Sequence, residues 1–176
     1  MLLSLVLGFF SSITNEGTCL GALHSIIDRD LLDDSLRYSD VRAIMTTELG
    51  ANNVSRPSLY ILGHKGKAYS FQSKEEAVRF LSQHNSTNVD VGCMQINLVA
   101  HCKEYAGSCT KEARLQMAYE LLDKKQNLLF ANKLLKRAAA KGKLGYYHSK
   151  TKSKYEKYVE KVNKVLVAQG LKGDFR

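Results

Sequence analysis

The fold of this chain is organised around one stretch, Ser39-Asp40-Val41-Arg42-Ala43-Ile44-Met45-Thr46-Thr47-Glu48-Leu49-Gly50. Helical spacing places Val41, Ile44, Met45 and Glu48 on one face of a helix. Three of these side chains are apolar and are expected to point into a core. The fourth is a carboxylate that lies just before a glycine able to end the helix. The stretch therefore predicts a helix whose inward face finishes in an acidic group.

The acidic group at the end of this face, Glu48, has two interpretations. Burial disfavours the charged form of a carboxylate, so a partly desolvated Glu has the property that a general acid requires. The alternative is a side chain that frays outward at the helix end and serves no chemistry. The helix pattern alone favours fraying, and only the rest of the chain can decide between the two.

Composition and charge narrow the class of protein. A length of 176 residues predicts one domain with a sizeable core, and 44% hydrophobic with 24% charged residues excludes a disordered chain. Lys and Arg outnumber Asp and Glu by 26 to 17, for a formal charge of +9. That balance favours an anionic partner, either nucleic acid or an acidic polymer such as peptidoglycan. Much of the excess lies between Lys124 and Lys164, where it is also typical of solvated helix faces.

The first residues, Met1–Phe10, form an apolar run that is too short to span a bilayer as a helix. Such a run is typical of the central part of an export signal, although a charged start and an Ala-x-Ala cleavage site are missing. A buried N-terminal helix is the alternative. We expect residues 1–18 to be a signal or N-terminal segment and residues 19–176 to form a single domain. The protein is then periplasmic, with no stable membrane span in its mature form.

The cysteine count favours disulfides over a metal site. Four cysteines are an even number, which fits an oxidising compartment and allows three pairings. Cys102 and Cys109 are close enough for a small disulfide loop around a glycine, which would leave Cys19 to pair with Cys93. The chain has no Cys-x-x-Cys pair of the zinc-binding type. We therefore predict disulfides, no metal site and no cofactor.

The remaining patterns predict a mainly α-helical domain with one small β-hairpin. Apolar spacing between Asn15 and Arg37 indicates one or two helices. A loop over Asn52–Pro57 precedes two short strands, Leu59–Leu62 and Lys67–Phe71, which flank a turn bounded by glycines. Further helices are predicted for residues 73–84, 110–122, 123–142 and 153–170, and capping patterns place Ser73, Asp123 and Ser153 at the N-caps of the first, third and fourth.

Three segments, taken in order, carry a family resemblance: Glu48-Leu49-Gly50, Gly92-Cys93-Met94-Gln95-Ile96-Asn97 and Tyr146-Tyr147-His148-Ser149. They resemble the soluble lytic transglycosylase (goose-type lysozyme-like) family, whose members typically contain Glu-Ser, Gly-Leu-Met-Gln-Ile and Tyr-Asn or Tyr-His. The resemblance covers residues 36–166, and the second segment carries most of its weight. The helix near Asn127 is also similar to a helix that follows this motif in the family. The resemblance implies a lysozyme-like helical fold with a groove for glycan strands.

The reaction implied by the resemblance is cleavage of the β-1,4 bond between N-acetylmuramic acid and N-acetylglucosamine. Glu48 would protonate the leaving oxygen and then accept the proton of the C6 hydroxyl, whose attack closes a 1,6-anhydro ring. Most glycosidases use two carboxylates. No second acid stands out here, since Asp90 precedes Gly92 in what the sequence indicates is a loop. The N-acetyl group of the substrate can take the place of that acid.

The expected partners are peptidoglycan glycan strands. The hairpin followed by Ser73-Lys74-Glu75-Glu76 is similar to a subset of exported family members, some of which serve an envelope-spanning secretion or flagellar apparatus. Nucleic acid is not an expected partner, because the basic charge of the last helix comes without a nucleic-acid-binding motif.

The resemblance also assigns substrate-binding residues beside the catalytic Glu48. Gln95 would line the groove and touch the glycan, Met94 would pack behind the site, and Asn97 would border it. Tyr147 would hydrogen-bond the catalytic carboxylate and orient it.

Three positions depart from the family pattern: Leu49 replaces Ser, Cys93 replaces Leu and His148 replaces Asn. The loss of the serine hydroxyl affects activity or specificity. Two alternatives therefore stay open. One is a hydrolytic muramidase or chitinase, and the other is a non-catalytic glycan-binding member of the fold.

Overall fold

The computed structural model describes residues 17–29, 31–56, 60–83 and 88–176. These residues form a mainly helical domain with a small antiparallel sheet of four strands. The helices are α1 Cys19–Ile27, α2 Tyr38–Leu49, α3 Ala51–Val54, α4 Lys74–Gln83, α5 Leu98–Ala106, α6 Lys111–Leu121, α7 Lys124–Ala139 and α8 Lys152–Ala168, with a 3-10 helix, Leu144–Tyr147, between the last two. The strands are β1 Tyr60–His64, β2 Lys67–Phe71, β3 Val89–Val91 and β4 Ile96–Asn97.

Helix α2 confirms the prediction made from its apolar face. Val41, Ile44 and Met45 are buried in the core, and Gly50, with a φ of 80°, ends the helix. The Glu48 side chain does not fray outward, because only 15% of it is exposed. Helix α2 packs against α8, and this contact places the inward end of α2 beside the C-terminal part of the chain.

The predicted hairpin is present, but it is only half of the sheet. Strand β1 continues to His64, and the turn consists of Lys65 and Gly66, both at positive φ as tight two-residue hairpins require. The segment 90–97, predicted as a loop, is a second hairpin formed by β3 and β4. Strands of three and two residues are too short to show an alternating pattern. Their register comes instead from pairing with β1, in the sheet order β2-β1-β3-β4.

Two helices differ from the sequence prediction. Residues 98–106 form α5, which the sequence analysis missed, because only Leu98 and Cys102 of its residues are buried. Asn97 caps this helix by accepting a hydrogen bond from the Ala100 N–H at 2.9 Å. Part of the predicted loop after α2 is the short helix α3. Neither helix has enough buried positions to reveal a helical period.

The capping predictions were mostly correct. The Ser73 hydroxyl accepts from the Glu76 N–H at 3.1 Å, and the Asp123 carboxylate accepts from the Gln126 N–H at 2.9 Å, so these side chains begin α4 and α7. Helix α8 begins two residues earlier than predicted, with Thr151 rather than Ser153 at its N-cap. The predicted helices between 15 and 37 reduce to α1 within the described residues.

Both disulfides favoured by the cysteine spacing are formed, Cys19–Cys93 and Cys102–Cys109. The first joins α1 to the turn of the second hairpin. Residues 1–16 of the predicted export segment lie outside the described residues, whereas Thr18 already caps α1. None of the helices in the described ranges is long and apolar enough to cross a membrane.

The C-terminal residues fold back onto α8. Asn163 donates to the Phe175 carbonyl oxygen at 3.1 Å and accepts from the Phe175 N–H at 2.9 Å. Phe175 is buried, and its ring packs edge-on against Tyr158. Asp174 is bound by the Arg37 guanidinium, which also holds the buried Asp40 carboxylate in α2. The tail therefore ties the N-terminal end of α2, where Arg37 and Asp40 lie, to α8.

Candidate active site

Glu48 is the centre of a cluster of polar side chains. Its Oε1 atom is buried and has no hydrogen-bond partner within the described part of the chain. The His148 Nδ1 atom lies 3.7 Å from it, which is too long for a hydrogen bond. A buried polar atom without a partner costs about 1–3 kcal/mol, and such atoms in folded proteins call for a reason such as catalysis. Glu48 thus has an unused acceptor position inside the site.

Tyr158, on α8, provides a hydroxyl next to this carboxylate. The residue is only 3% exposed, and its hydroxyl also has no hydrogen-bond partner among the described residues. Burial raises the pKa of the Tyr158 phenol well above its ordinary value, and the negative charge of Glu48 adds to the effect. The phenol therefore stays neutral and can donate a hydrogen bond to a ligand or, after a small shift, to Glu48. The sequence gives no sign that Tyr158 lies at the site, because this residue occupies an ordinary inward position of an amphipathic helix.

His148 lies on the open side of the cluster, and 46% of its side chain is exposed. Its ring stacks on Tyr158 with a centroid distance of 4.4 Å and an interplanar angle of 3°. The 3-10 helix before it sets this position, because the helix packs against both α7 and α8. His148 therefore places an imidazole ring on the solvent side of Glu48.

Tyr147 does not hydrogen-bond the carboxylate as the resemblance implies, and that expectation is wrong. Its hydroxyl donates to the Met94 carbonyl oxygen. Burial raises the pKa of the Tyr147 phenol well above its ordinary value, and the charges of Glu48 and Asp90 contribute. Tyr147 is thus a neutral brace between the 3-10 helix and the turn of residues 92–95, next to both acids.

Asp90 is the second carboxylate that the sequence analysis did not assign to the site. It lies on β3, is half-buried, and accepts a hydrogen bond from the Asn97 amide at 2.8 Å. Burial raises the pKa of Asp90, the Asn97 hydrogen bond opposes this, and the negative charge of Glu48 raises it further. The site therefore contains two acids whose charges influence each other. The sequence indicated only that Asp90 lies in a loop and did not show which way its side chain points.

Gln95 is positioned by the turn that carries it. Its backbone has a φ of 48°, and its Nε2 atom donates to the Gly92 carbonyl oxygen at 2.8 Å. The Oε1 atom lies directly over Gly63 of β1, where a Cβ atom would approach it to 2.4 Å. The side chain is only partly buried and packs on the sheet at Gly63.

The other two predicted substrate-binding residues have supporting roles in this structure. Met94 is fully buried, which agrees with the expected position behind the groove and leaves its side chain no access to a substrate. Asn97 caps α5, and its amide donates both to Asp90 and to the Asn88 side chain at 2.7 Å. Its hydrogen-bonding groups are therefore already used within the protein.

Asn127 holds the turn of residues 92–95 from behind. It is fully buried, accepts from the Met94 N–H at 2.8 Å and donates to the carbonyl oxygens of Val91 at 2.8 Å and Leu121 at 3.1 Å. Its amide also packs so closely on Gly92 that a Cβ atom there would lie 2.4 Å away. The only sequence signal for this role is its position one turn after the cap of α7.

The three segments of the resemblance meet around Glu48, with Asp90 and Tyr158 added by the fold. Within the described ranges, no group of three or more His, Cys, Asp or Glu side chains is arranged to hold a metal ion. Comparisons with protein-family models, with curated proteins and with solved structures find no match to this chain.

Proposed function

We propose that this chain is an exported lytic transglycosylase with a lysozyme-like fold, and that Glu48 is its general acid and base. The observation that carries the proposal is the buried Glu48 Oε1 atom, which has an unused acceptor position next to the unpaired Tyr158 hydroxyl. The substrate class is peptidoglycan, which fits the formal charge of +9. The two disulfides fit an oxidising compartment such as the periplasm.

The reaction follows from one carboxyl group that acts twice. Protonated Glu48 gives its proton to the glycosidic oxygen, and the C1–O bond to the leaving N-acetylglucosamine breaks. The carboxylate then accepts the proton of the muramic acid C6 hydroxyl, and the C6 oxygen bonds to C1 and closes the 1,6-anhydro ring. Glu48 ends in its starting protonation state, and no water is consumed. Tyr158 donates a hydrogen bond to the Glu48 carboxylate formed between the two steps, while Gln95 contacts the sugar.

Hydrolysis is a second candidate, and Asp90 is the observation that favours it. An inverting glycosidase needs a second carboxylate that activates a water molecule on the far side of the sugar. Asp90 is close enough to Glu48 for the two charges to interact, and its raised pKa is consistent with a proton acceptor in a poorly solvated place. In this mechanism the product carries a reducing end instead of an anhydro ring.

The test is digestion of purified sacculi followed by mass analysis of the soluble products, with Glu48→Gln and Asp90→Asn beside the wild type. Anhydromuropeptides that disappear in Glu48→Gln and persist in Asp90→Asn support the lytic transglycosylase. Reducing ends that disappear in both variants support the hydrolase. Strand binding without any product from the wild type would support a glycan-binding protein, and unchanged turnover in Glu48→Gln would eliminate Glu48.

A further inference from the structure

We propose that the cavity on the outer side of Tyr147 binds the free carboxylates of the peptide stems that peptidoglycan strands carry. This inference rests on the proposed function, since it names the part of the substrate that lies next to the cleavage point. The cavity has a volume of about 290 Å³ and lies between α5, the end of α7 and the 3-10 helix. The polar and charged side chains that line it include His101, Glu104, Arg137, Lys141, Tyr147 and Lys150.

The charges around this cavity do not balance. Glu104 is neutralised by Arg137, whose Nη2 atom lies 2.7 Å from one carboxylate oxygen and 2.9 Å from the other. Burial lowers the pKa of His101, so this ring is neutral near pH 7. Lys141 and Lys150 form no ion pair within the described part of the chain. Two uncompensated cations therefore face one partly enclosed space, where low-dielectric walls strengthen their attraction for an anion.

The cavity adjoins the proposed catalytic site through Tyr147. This side chain lines the cavity, while its hydroxyl donates to the Met94 carbonyl oxygen and its phenol is subject to the charge of Glu48. The next residue, His148, contacts Glu48, and Lys150 follows two positions later. The cavity therefore lies beside the residues that surround Glu48.

The chemistry of the strand decides what these lysines recognise. The glycan backbone itself offers mainly neutral hydroxyl and acetamido groups, which give a lysine little to pair with. Stem peptides project from the muramic acid residues and carry several free carboxylates. An ammonium group pairs with such a carboxylate as a point charge. The two lysines therefore favour strands that carry their stems over N-acetylglucosamine oligomers, which have no carboxylate.

Binding measurements in the Glu48→Gln background test the cavity without turnover. The ligands are soluble glycan strands with intact stems and N-acetylglucosamine oligomers of matched length. The oligomers serve as the uncharged reference, because removing a stem with an amidase would free the lactyl carboxylate of each muramic acid residue. The test variant is the double change Lys141→Gln and Lys150→Gln. The matched control is Lys154→Gln with Lys161→Gln, two exposed lysines of α8 that line none of the described cavities and alter the net charge equally.

The test variant is expected to lose about threefold to tenfold in affinity for stem-bearing strands, the range of two partly exposed ion pairs, and to bind the N-acetylglucosamine oligomers unchanged. The control is expected to bind both ligands as the background protein does. Equal losses on both ligands, the same loss in the control, or equal competition by a DNA duplex would indicate unspecific charge attraction and overturn the proposal. No loss in the test variant would overturn it as well.

Failure of this site is distinguishable from failure of the proposed function. If the wild-type protein releases no product from sacculi but the lysine variant loses its preference for stems, the cavity assignment holds and the catalytic one fails. If sacculi are cleaved with a Glu48-dependent product and stems make no difference to binding, the cavity assignment alone fails.

Discussion

His148 stacks on Tyr158, with ring centroids 4.4 Å apart and planes within 3° of parallel. The pair forms one wall beside Glu48, since the imidazole Nδ1 atom lies 3.7 Å from Glu48 Oε1 and the phenol is buried behind it. Phe175, in the C-terminal tail, packs edge-on against the same phenol ring. Glu48 Oε1 therefore lies beside an aromatic pair without a hydrogen-bond partner among the described residues, which leaves this oxygen available.

Tyr158→Phe is expected to separate activity from stability. Glycan cleavage should fall about tenfold to hundredfold, the equivalent of a hydrogen bond to a charged group worth about 1.5–3 kcal/mol. The free energy of unfolding should stay equal or rise, because the variant removes a buried hydroxyl that has no partner. Tyr155→Phe on the same helix is the control and should change neither quantity. Full activity in Tyr158→Phe would contradict the positioning role.

Asp90→Asn is expected to change how stability depends on pH. Because burial and the charge of Glu48 raise the pKa of Asp90 above 3.8, the folded protein binds this proton more tightly than the unfolded chain. Wild-type stability therefore falls as pH rises from the unfolded value through the folded one. Asp90→Asn lacks this loss, so its stability relative to wild type should increase over that interval.

Urea denaturation of both proteins at pH values on either side of the interval measures this difference, in which all other titrations cancel. In a Glu48→Gln background the neighbouring charge is absent, and the pH-dependent difference should shrink. A stability difference that is independent of pH would contradict the raised pKa of Asp90, and an undiminished difference in the Glu48→Gln background would show that the two carboxylates are not coupled.

Gly63→Ala is expected to displace Gln95 while the fold persists. The new Cβ atom would lie 2.4 Å from Gln95 Oε1, which is the far end of a flexible side chain and can move. Stability should change by less than about 1 kcal/mol, since alanine is at least as good as glycine inside a strand. Cleavage activity should fall to the level of Gln95→Ala, and the combined variant should fall no further. Additive losses would mean that Gly63 acts independently of Gln95.

Gly92→Ala tests the turn that carries Gln95 and should behave differently from Gly63→Ala. Gly92 has a φ of 76°, and its Cβ atom would lie 2.7 Å from the Leu121 carbonyl oxygen and 2.4 Å from the Asn127 amide. A backbone carbonyl and a fully hydrogen-bonded Asn127 cannot yield easily. We expect a loss of about 2 kcal/mol or more in the free energy of unfolding, measured by urea denaturation. A loss as small as that of Gly63→Ala would mean that the turn is adaptable.

The two disulfides are expected to differ in their contribution to stability. Cys19 and Cys93 are separated by 74 positions, whereas Cys102 and Cys109 are separated by 7. The cross-link that closes the longer loop restricts the unfolded chain more, so replacing the first pair by alanine should cost about 4 kcal/mol and the second about 2 kcal/mol. Urea denaturation of the two double variants measures the order. Equal costs would mean that native-state effects outweigh loop entropy.

The sequence predicted those elements whose signal is local. The α2 face and the caps of α4 and α7 depend on residues within one or two turns of each other, and these predictions were confirmed. The second hairpin and α5 were missed because their strands and buried positions are too few to show a period. Tyr147 was placed at the site, but its hydrogen-bond partner was wrong, since the acceptor is Met94.

The sequence shows Glu48 as an acid at the end of an apolar helix face, but that pattern alone favoured fraying, and the catalytic role was predicted from the family resemblance. What surrounds Glu48 depends on tertiary structure. Tyr158 follows an ordinary amphipathic pattern, and only the packing of α8 on α2 brings its hydroxyl to the carboxylate. Asp90 becomes a second acid of the site only because β3 pairs with β1 in one register. Local spacing determines which face a side chain occupies, whereas the distance between residues far apart in the chain is set by how the core packs.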